Sequence, residues 1–302
     1  MFYQVDAFTD IPFFGNPTAI IIEDTENQLS KKLKEFIARE MNLPVSVFVS
    51  TSESCDFKFE FFTPKKKVPI SGHGTIAAVW LLAELGKIEP ATSTTNLTID
   101  TKIGKVKCEV EWKENQVSKV YMKQKKPKFE VVDINKRKLS DILGIREEKI
   151  ESNEKLPIVL ADTGSPKLLV LIASKEMTDA LVPKFDDIER LCIKYKATGL
   201  HLYTFDTYFE GSTCYTRQFE PVRGASETVV SGLANGALGA FLVSRGFAQP
   251  GTLIVEQGES LDRASKMEVH VEANEDIVKS VKIGGEARVV FKFTIDDKIP
   301  LI

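Results

Sequence analysis

Two glycine-framed turns, each set between an extended stretch and an apolar run rich in Ala and Leu, constrain the fold of this chain most. Residues 71–74 read SGHG, and residues 231–236 read SGLANG. The run after each turn is apolar on every side, which predicts a helix buried inside a shell of other elements. A helix start presents free backbone N–H groups and the positive end of the helix dipole, so each turn suits an anionic ligand such as a carboxylate.

Composition places the chain among ordinary globular proteins. It has 302 residues, 43% of them hydrophobic, and a formal net charge of -3. This length predicts one large or two medium domains, and the charge favours neither nucleic acid nor an anionic membrane as a partner. No apolar stretch approaches the length of a membrane span, and the first residues lack the features of a signal peptide. We therefore expect a cytoplasmic protein.

Metal chemistry is not indicated by the sequence. The four cysteines form no C-x-x-C pair, and the three histidines lack the spacing of a zinc site. We predict no metal site and no disulfide framework.

Strand patterns dominate both halves of the chain, and helices are few. An amphipathic helix is predicted over 29–41 with Ser30 near its start, and apolar helices are predicted over 74–85 and 233–244. Shorter helices are expected near 138–143 and 186–196. The plan of the first half recurs in the second, which predicts internal pseudo-symmetry and a cleft between the halves.

We therefore predict an α+β fold of two pseudo-symmetric domains, each a barrel-like antiparallel or mixed sheet around a central apolar helix. The lysine-rich stretch 113–128 marks the predicted boundary between them. The first domain covers 1–115, with 287–302 as a segment that could complete it, and the second covers 116–286.

Several short motifs occur together along nearly the whole chain and carry a resemblance to a known family. They lie at 5–9 (VDAFT), 12–17 (PFFGNP), 37–43 (IAREMNL), 62–75 (FTPKKKVPISGHGT), 163–166 (TGSP), 217–221 (RQFEP), 227–232 (ETVVSG), 257–258 (QG) and 263–265 (RAS). In this order and spacing the chain resembles the phenazine-biosynthesis PhzF-like family, within the diaminopimelate epimerase superfamily.

The resemblance implies a diaminopimelate epimerase-like fold, an active site in the cleft and a homodimer. It also implies an isomerase without an organic cofactor that moves a proton on a small carboxylic acid, as in the isomerisation of 2,3-dihydro-3-hydroxyanthranilate. Such chemistry requires a positioned base, groups that hold the carboxylate, and a dry site.

The family's general acid/base does not carry over to this chain. In the family it is a Glu in the sequence NLSET, whereas residues 42–46 read NLPVS here and place Val45 at that position. Glu40 lies five residues earlier, but the short link between helix and strand makes it a poor replacement. The second turn also departs from the family pattern, because Thr228 and Leu233 stand where the family has Asp and Ser.

The amino-acid epimerase branch offers a second comparison at the same turns. Its two catalytic cysteines correspond to Ser71 and Ser231 in this chain. A serine hydroxyl is too weak an acid for two-thiol epimerisation near neutral pH. Ser71 and Ser231 are expected to cap helices or contact a carboxylate.

His73 is the titratable catalytic candidate, because an imidazole with a pKa near 6.5 can exchange a proton around neutral pH. It either faces a ligand or caps its helix by a hydrogen bond to the backbone. Asn16 either lines the cleft or occupies an ordinary turn. Asp6 and Glu227 either bind a substrate amine or hydroxyl or make structural hydrogen bonds.

Four further positions are expected to bind the substrate. Three are glycines of the turns, which let the backbone approach a ligand closely, and the fourth is a threonine: Gly72, Gly74, Gly232 and Thr228.

Two functions stay open at this point. The first is an active isomerase that uses His73 with other polar groups of the cleft and binds a small carboxylate between two helix N-termini. The alternative is a catalytically degenerate family member that binds a small carboxylate or a protein partner without turnover.

Overall fold

A computed structural model describes residues 1–23 and 28–294. In chain order, the first half contains β1 (Phe2–Ala7), β2 (Asn16–Ile22), α1 (Lys31–Met41), β3 (Val45–Ser50), β4 (Phe57–Phe62), β5 (Lys67–Val68), α2 (Gly72–Glu84), β6 (Thr94–Thr101), β7 (Gly104–Lys113) and β8 (Gln116–Lys123).

The second half continues with β9 (Lys128–Val131), α3 (Lys136–Leu143), β10 (Ile150–Glu151), β11 (Val159–Asp162), β12 (Lys167–Ile172), α4 (Lys175–Asp179), α5 (Phe185–Lys194), β13 (Gly199–Thr204), β14 (Cys214–Glu220), β15 (Ala225–Thr228), α6 (Gly232–Ser244), β16 (Gly251–Gln257), β17 (Ser265–Asn274), β18 (Ile277–Gly285) and β19 (Ala287–Phe293). Six of these elements were not expected from the sequence: the short helix α4 and the strands β5, β8, β9, β10 and β15.

The chain divides into two compact units. The first is Met1–Lys123 with the residues from Gly284 onward, and the second is Gln124–Ile283. The boundary thus differs from the predicted one at 115/116, because β8 pairs with β7 as an antiparallel hairpin. Met122 is buried there and Lys123 is exposed, so two of the lysines that suggested a linker, Lys119 and Lys123, belong to a half-buried strand. Residues 295–302 of the predicted C-terminal segment lie outside the described residues.

In the first unit, hydrogen-bonded strands follow the order β19-β1-β2-β3-β4-β6-β7-β8, and β5 pairs with β4. The β2–β3 and β4–β6 pairs are parallel, and the others are antiparallel. Helix α2 packs against β1, β2, β3, β7, β8 and β19. Eleven of its thirteen residues are buried, as its all-apolar sequence requires.

In the second unit the order is β9-β11-β12-β13-β14-β16-β17, and β10 and β15 pair with β12 and β14. The β12–β13 and β14–β16 pairs are parallel. Helix α6 packs against β11, β12 and β17, and eleven of its thirteen residues are buried. A further apolar core joins α3 and α5 to β12 and β13.

Both buried helices end in the same way. Gly86 and Gly246 adopt left-handed backbone with φ of 67° and 71°, which glycine does without strain. In each case the N–H of the next residue bonds back to a carbonyl near the helix end, Lys87 to Leu82 and Phe247 to Leu242. Helix α6 therefore ends at Ser244, the last residue of the predicted helix, two positions before this glycine.

The fold class is α+β, with mixed sheets and few helices. Within 1–23 and 28–294, no helix is long and apolar enough to span a bilayer. Pseudo-symmetry between the units and closure of each sheet around its helix stay predictions.

Candidate active site

The first turn of α2 holds the titratable candidate, His73. Ser71 precedes the helix with extended backbone, and its Oγ accepts a hydrogen bond of 3.2 Å from the N–H of Gly74. The same oxygen lies 3.3 Å from Nδ1 of the half-buried His73. One hydroxyl therefore caps the helix and orients the imidazole.

Strand β3 presents methyl groups to this turn. A Cβ built on Gly74 would lie 3.1 Å from Cγ1 of Val45 and 3.0 Å from Cγ2 of Val47. Glycine at position 74 therefore allows a closer approach of helix to strand than alanine would. Val45 is only 1% exposed and has no group that takes a proton, so this side of the turn is apolar.

Asn16 and Asp6 lie on strands that pack against α2. Asn16 is fully buried at the start of β2, opposite Ala7 of β1, so it is a strand residue. Gly15 before it has a φ of 64°, and a Cβ there would overlap the Ala7 carbonyl. Asp6 accepts the N–H of Phe13 at Oδ2 (2.8 Å), so this carboxylate closes the loop between β1 and β2.

The start of α6 is held differently. Ser231 occupies the N-cap position, but its side chain makes no capping hydrogen bond to the helix. Its N–H instead donates to Oε1 of Gln257 (3.2 Å), which also accepts from Nδ2 of Asn235 (2.9 Å). Nε2 of Gln257 donates to the carbonyl of Thr228 (2.8 Å). A buried glutamine of β16 thus supports the turn from the side.

Two further side chains bind carbonyl groups in the first turn of α6. Nε2 of Gln124 donates to the Gly232 carbonyl (2.8 Å), and the Thr163 hydroxyl donates to the Leu233 carbonyl (2.9 Å). A Cβ on Gly236 would overlap the amide group of Gln124. Glycine at position 236 therefore makes room for the buried glutamine.

Thr228 is connected to a buried ion pair. Its hydroxyl donates to Oε2 of Glu220 (3.2 Å), and Oε1 of Glu220 accepts from the fully buried Lys167. Burial alone would raise the pKa of Glu220, but the charges of Lys167 and Arg223 and these hydrogen bonds outweigh it and hold that pKa below its ordinary value. Glu220 is therefore a carboxylate fixed by partners.

Glu227 is held by an arginine. Nε and Nη2 of Arg217 each donate to one oxygen of its carboxylate at 2.8 Å. The Ser260 hydroxyl adds a third hydrogen bond of 2.8 Å. This bidentate geometry fixes the carboxylate and with it the loop before the turn.

The structure thus groups the predicted residues within each unit. Ser71, Gly72, His73 and Gly74 form one turn, and the second turn contains Ser231 and Gly232 with Glu227 and Thr228 before it. Within the described ranges 1–23 and 28–294, no three His, Cys, Asp or Glu side chains are placed to hold a metal ion.

Sequence reasoning overlooked the side chains that support the second turn. Gln257, Thr163 and Arg217 each belong to a motif that carried the family resemblance, but the motifs gave no indication of what these side chains contact. Lys167 and Gln124 gave no signal, because a lysine and a glutamine are normally read as surface residues.

Comparison with known proteins identifies the family. A family model described as phenazine biosynthesis-like protein (PhzC-PhzF) matches residues 5–292. The chain belongs to the phenazine biosynthesis-like family. An uncharacterised isomerase of Clostridium acetobutylicum is 35% identical, with 96% of each chain aligned.

Solved structures agree with this assignment. A PhzF-family phenazine biosynthesis protein of Bacillus anthracis is 26% identical and superimposes with a TM-score of 0.86 over 97% of each chain. A probable proline racemase of Agrobacterium radiobacter, 14% identical, superimposes with a TM-score of 0.67 over 99% of this chain and 94% of its own. The second likeness shows a shared fold only.

Proposed function

We propose that this protein is an isomerase that needs no organic cofactor and moves a proton on a small carboxylic acid bound at the helix starts. The observation that carries the proposal is the contact of His73 Nδ1 with the capping hydroxyl of Ser71 on the first turn of α2. Relatives that bear the name isomerase support the reaction class.

The binding step uses backbone and hydroxyl groups. The N–H groups of a helix's first turn and the dipole behind them favour a carboxylate. Ser231 lies at the start of α6 with a hydroxyl that does not cap its own helix. This hydroxyl is therefore suited to hydrogen-bond the bound acid.

The proton transfer step belongs to His73. The imidazole takes a proton from one carbon of the bound acid, and the electron pair of that C–H bond moves into the adjacent unsaturated system. The imidazolium, whose N–H proton exchanges with solvent, then delivers a proton to another carbon. The product is an isomer of the substrate, so no oxidant or second substrate is consumed. Orientation of the ring by Ser71 fixes which nitrogen faces the acid.

The second candidate is a protein that binds a small carboxylate without turnover. Val45 favours it, because a buried aliphatic side chain contacts the α2 turn where the resemblance would place the catalytic carboxylate. The bidentate Arg217–Glu227 pair favours it as well, since the arginine holds that carboxylate in its charged, structural form.

Proton exchange separates the two candidates. The protein is incubated in D2O with a panel of small unsaturated carboxylic acids that includes 2,3-dihydro-3-hydroxyanthranilate, and deuterium incorporation is followed by NMR. We expect exchange in the native chain and a loss of about 10²–10⁴-fold in His73→Asn, the range typical of removing a general acid/base.

The matched control is His270→Asn. His270 is also half-buried and also has Nδ1 near a hydroxyl, 3.1 Å from Oγ1 of Thr252, but it lies on β17. Its exchange rate should equal that of the native chain. Acids that bind and raise the melting temperature without exchanging a proton would eliminate the isomerase and establish the binding protein.

A gain-of-function variant tests the role of position 45. Val45→Glu adds a carboxylate beside Gly74, and Val45→Gln adds the same volume without charge. An exchange rate that rises in the Glu variant alone would show that the native chain lacks this base. Equal rates in both variants would place the proton transfer on His73.

A further inference from the structure

Gln257 connects three parts of the second turn although it lies on another strand. Its side chain is 1% exposed. The amide binds the end of β15 through the Thr228 carbonyl, the N-cap through the Ser231 N–H, and the first turn of α6 through Asn235. Oε1 also accepts from the Thr216 hydroxyl of β14 at 3.3 Å.

These partners define which way the amide faces. A carbonyl accepts only from the NH₂ end, and an N–H donates only to the oxygen end. With Nε2 bound to the Thr228 carbonyl, Oε1 must point at Ser231 and Asn235. The orientation of Gln257 is therefore fixed by the backbone on both sides of the turn.

The arrangement resembles half of a capping box. There, a Glu or Gln in the first turn accepts the N–H of the N-cap residue, while the N-cap hydroxyl accepts an N–H of the helix. Gln257 performs the first task from outside the helix, and the Ser231 hydroxyl does not perform the second. The start of α6 is thus held without use of that hydroxyl.

We propose that Gln257 is a positioning residue that fixes the start of α6 so that the Ser231 hydroxyl serves a bound carboxylate instead of capping its helix. The inference rests on the proposed function, because the bound acid is the carboxylate in question. Gln257 itself touches neither the acid nor the reacting atoms.

Three variants test the proposal. Gln257→Met removes every hydrogen bond of the amide and nearly preserves its volume. Gln257→Glu keeps an acceptor for Ser231 and Asn235 but loses the donor to Thr228. Gln218→Met is the control, because Gln218 is also fully buried on a neighbouring strand and donates only to the carbonyl of Phe219 (3.2 Å) among the bonds the structure gives its amide nitrogen.

The first readout needs no ligand. Ser231→Ala is measured in the native chain and in Gln257→Met. We expect almost no change of Tm in the native chain. In Gln257→Met the backbone of Ser231 is no longer held by the amide, and its hydroxyl should turn to cap α6. Ser231→Ala should then lower Tm by about 2–4 °C. Equal shifts in both backgrounds would overturn the proposal.

The second readout uses anthranilate, a small planar carboxylate, and follows the amide signals of residues 231–234 by NMR titration. We expect Kd to rise at least tenfold in Gln257→Met, by less in Gln257→Glu, and by under twofold in Gln218→Met. An unchanged Kd in Gln257→Met, with a Tm loss equal to that of Gln218→Met, would reduce Gln257 to a structural residue.

The two hypotheses fail in different ways. If anthranilate leaves the 231–234 signals of the native chain unchanged, the carboxylate role of Ser231 is wrong, and with it this part of the proposed function. If anthranilate binds but Ser231→Ala changes Tm equally in the native chain and in Gln257→Met, the proposed function stands and the role of Gln257 is wrong.

Discussion

The starts of α2 and α6 look alike in sequence but are built differently. At α2, Ser71 caps its own helix and contacts His73, and the neighbouring strand contributes valine methyl groups. At α6, Ser231 caps nothing, and Gln257 and Gln124 hold the turn from other elements. A glycine-rich turn thus determines where a helix begins, whereas distant residues determine what its serine can do.

The largest expected difference between the two starts concerns the buried pair behind Thr228. Lys167→Met would leave the Glu220 carboxylate buried without its main partner, which typically costs about 3–5 kcal/mol of the free energy of unfolding. The amide signals of 228–231 should shift with it. Replacing both partners, as in Lys167→Met with Glu220→Met, should restore most of the stability.

Lys34→Met provides the matched change in the other unit. Lys34 is also buried and binds both Glu23 and Glu60 at 2.6 Å. Lys34→Met should lower the free energy of unfolding at least as much, while the amide signals of 228–231 should not shift. If the amide signals of 228–231 also do not shift in Lys167→Met, the ion pair does not support the start of α6.

A second difference is the response of unfolding to pH. Glu259 lies between Gln257 and Ser260, the two residues that hold the segment 227–231. Burial raises its pKa to about 7 from 4.5; Glu256 and Asp179 act in the same direction, while its own N–H and Lys266 oppose them. Because the folded chain keeps this proton to higher pH, the free energy of unfolding should fall as pH rises from about 4.5 to about 7, by up to about 3 kcal/mol.

Glu259→Gln should remove that fall, since the amide carries no titratable proton. Urea denaturation at pH 4.5, 6 and 8 measures it. The variant should match the native chain at the lowest pH and exceed it at the highest. If the free energy of unfolding depends on pH in the same way in both proteins, ionisation of Glu259 does not destabilise the folded chain.

The smallest difference is the contribution of each N-cap serine to the stability of its helix. Ser71→Ala should destabilise α2 by about 1 kcal/mol, because a capping hydroxyl is lost. Ser231→Ala should change α6 by no more than about 0.3 kcal/mol, since the hydroxyl makes no cap. Amide hydrogen exchange within each helix measures both values separately.

Ser30→Ala calibrates this test. Ser30 caps α1 by accepting the N–H of Leu33 at 3.2 Å, as Ser71 caps α2. Both variants should therefore lose similar protection in their helices. Equal losses for Ser71→Ala and Ser231→Ala would abolish the contrast between the two turns.

Local patterns in the sequence were sufficient to find the longer helices, although not the five-residue α4. All-round apolarity identified α2 and α6, and amphipathic spacing with Ser30 as N-cap identified α1. The misjudged stretch was 113–128, where the many lysines conceal the strand β8 and its three consecutive buried residues, Val120 to Met122. Composition averages the lysines and the apolar residues over the whole stretch and therefore misreads it as a linker.

Site geometry was less accessible, because its contacts join residues far apart in the chain. Ser71 and His73 are neighbours, so their contact follows from a short motif. Gln124 and Gly232 are separated by 108 positions, and nothing local to either residue indicates that they meet. The support of a turn is a tertiary property.

A side chain at position 236 and the amide of Gln124 would compete for the same space, since a Cβ on Gly236 would overlap that amide. The two positions should therefore change together during evolution. Family members with alanine at the position of Gly236 should carry a shorter side chain at the position of Gln124, and must then bind the first carbonyl of α6 by another donor. An alignment of relatives can be read for this pair as a record of how each lineage supports that turn.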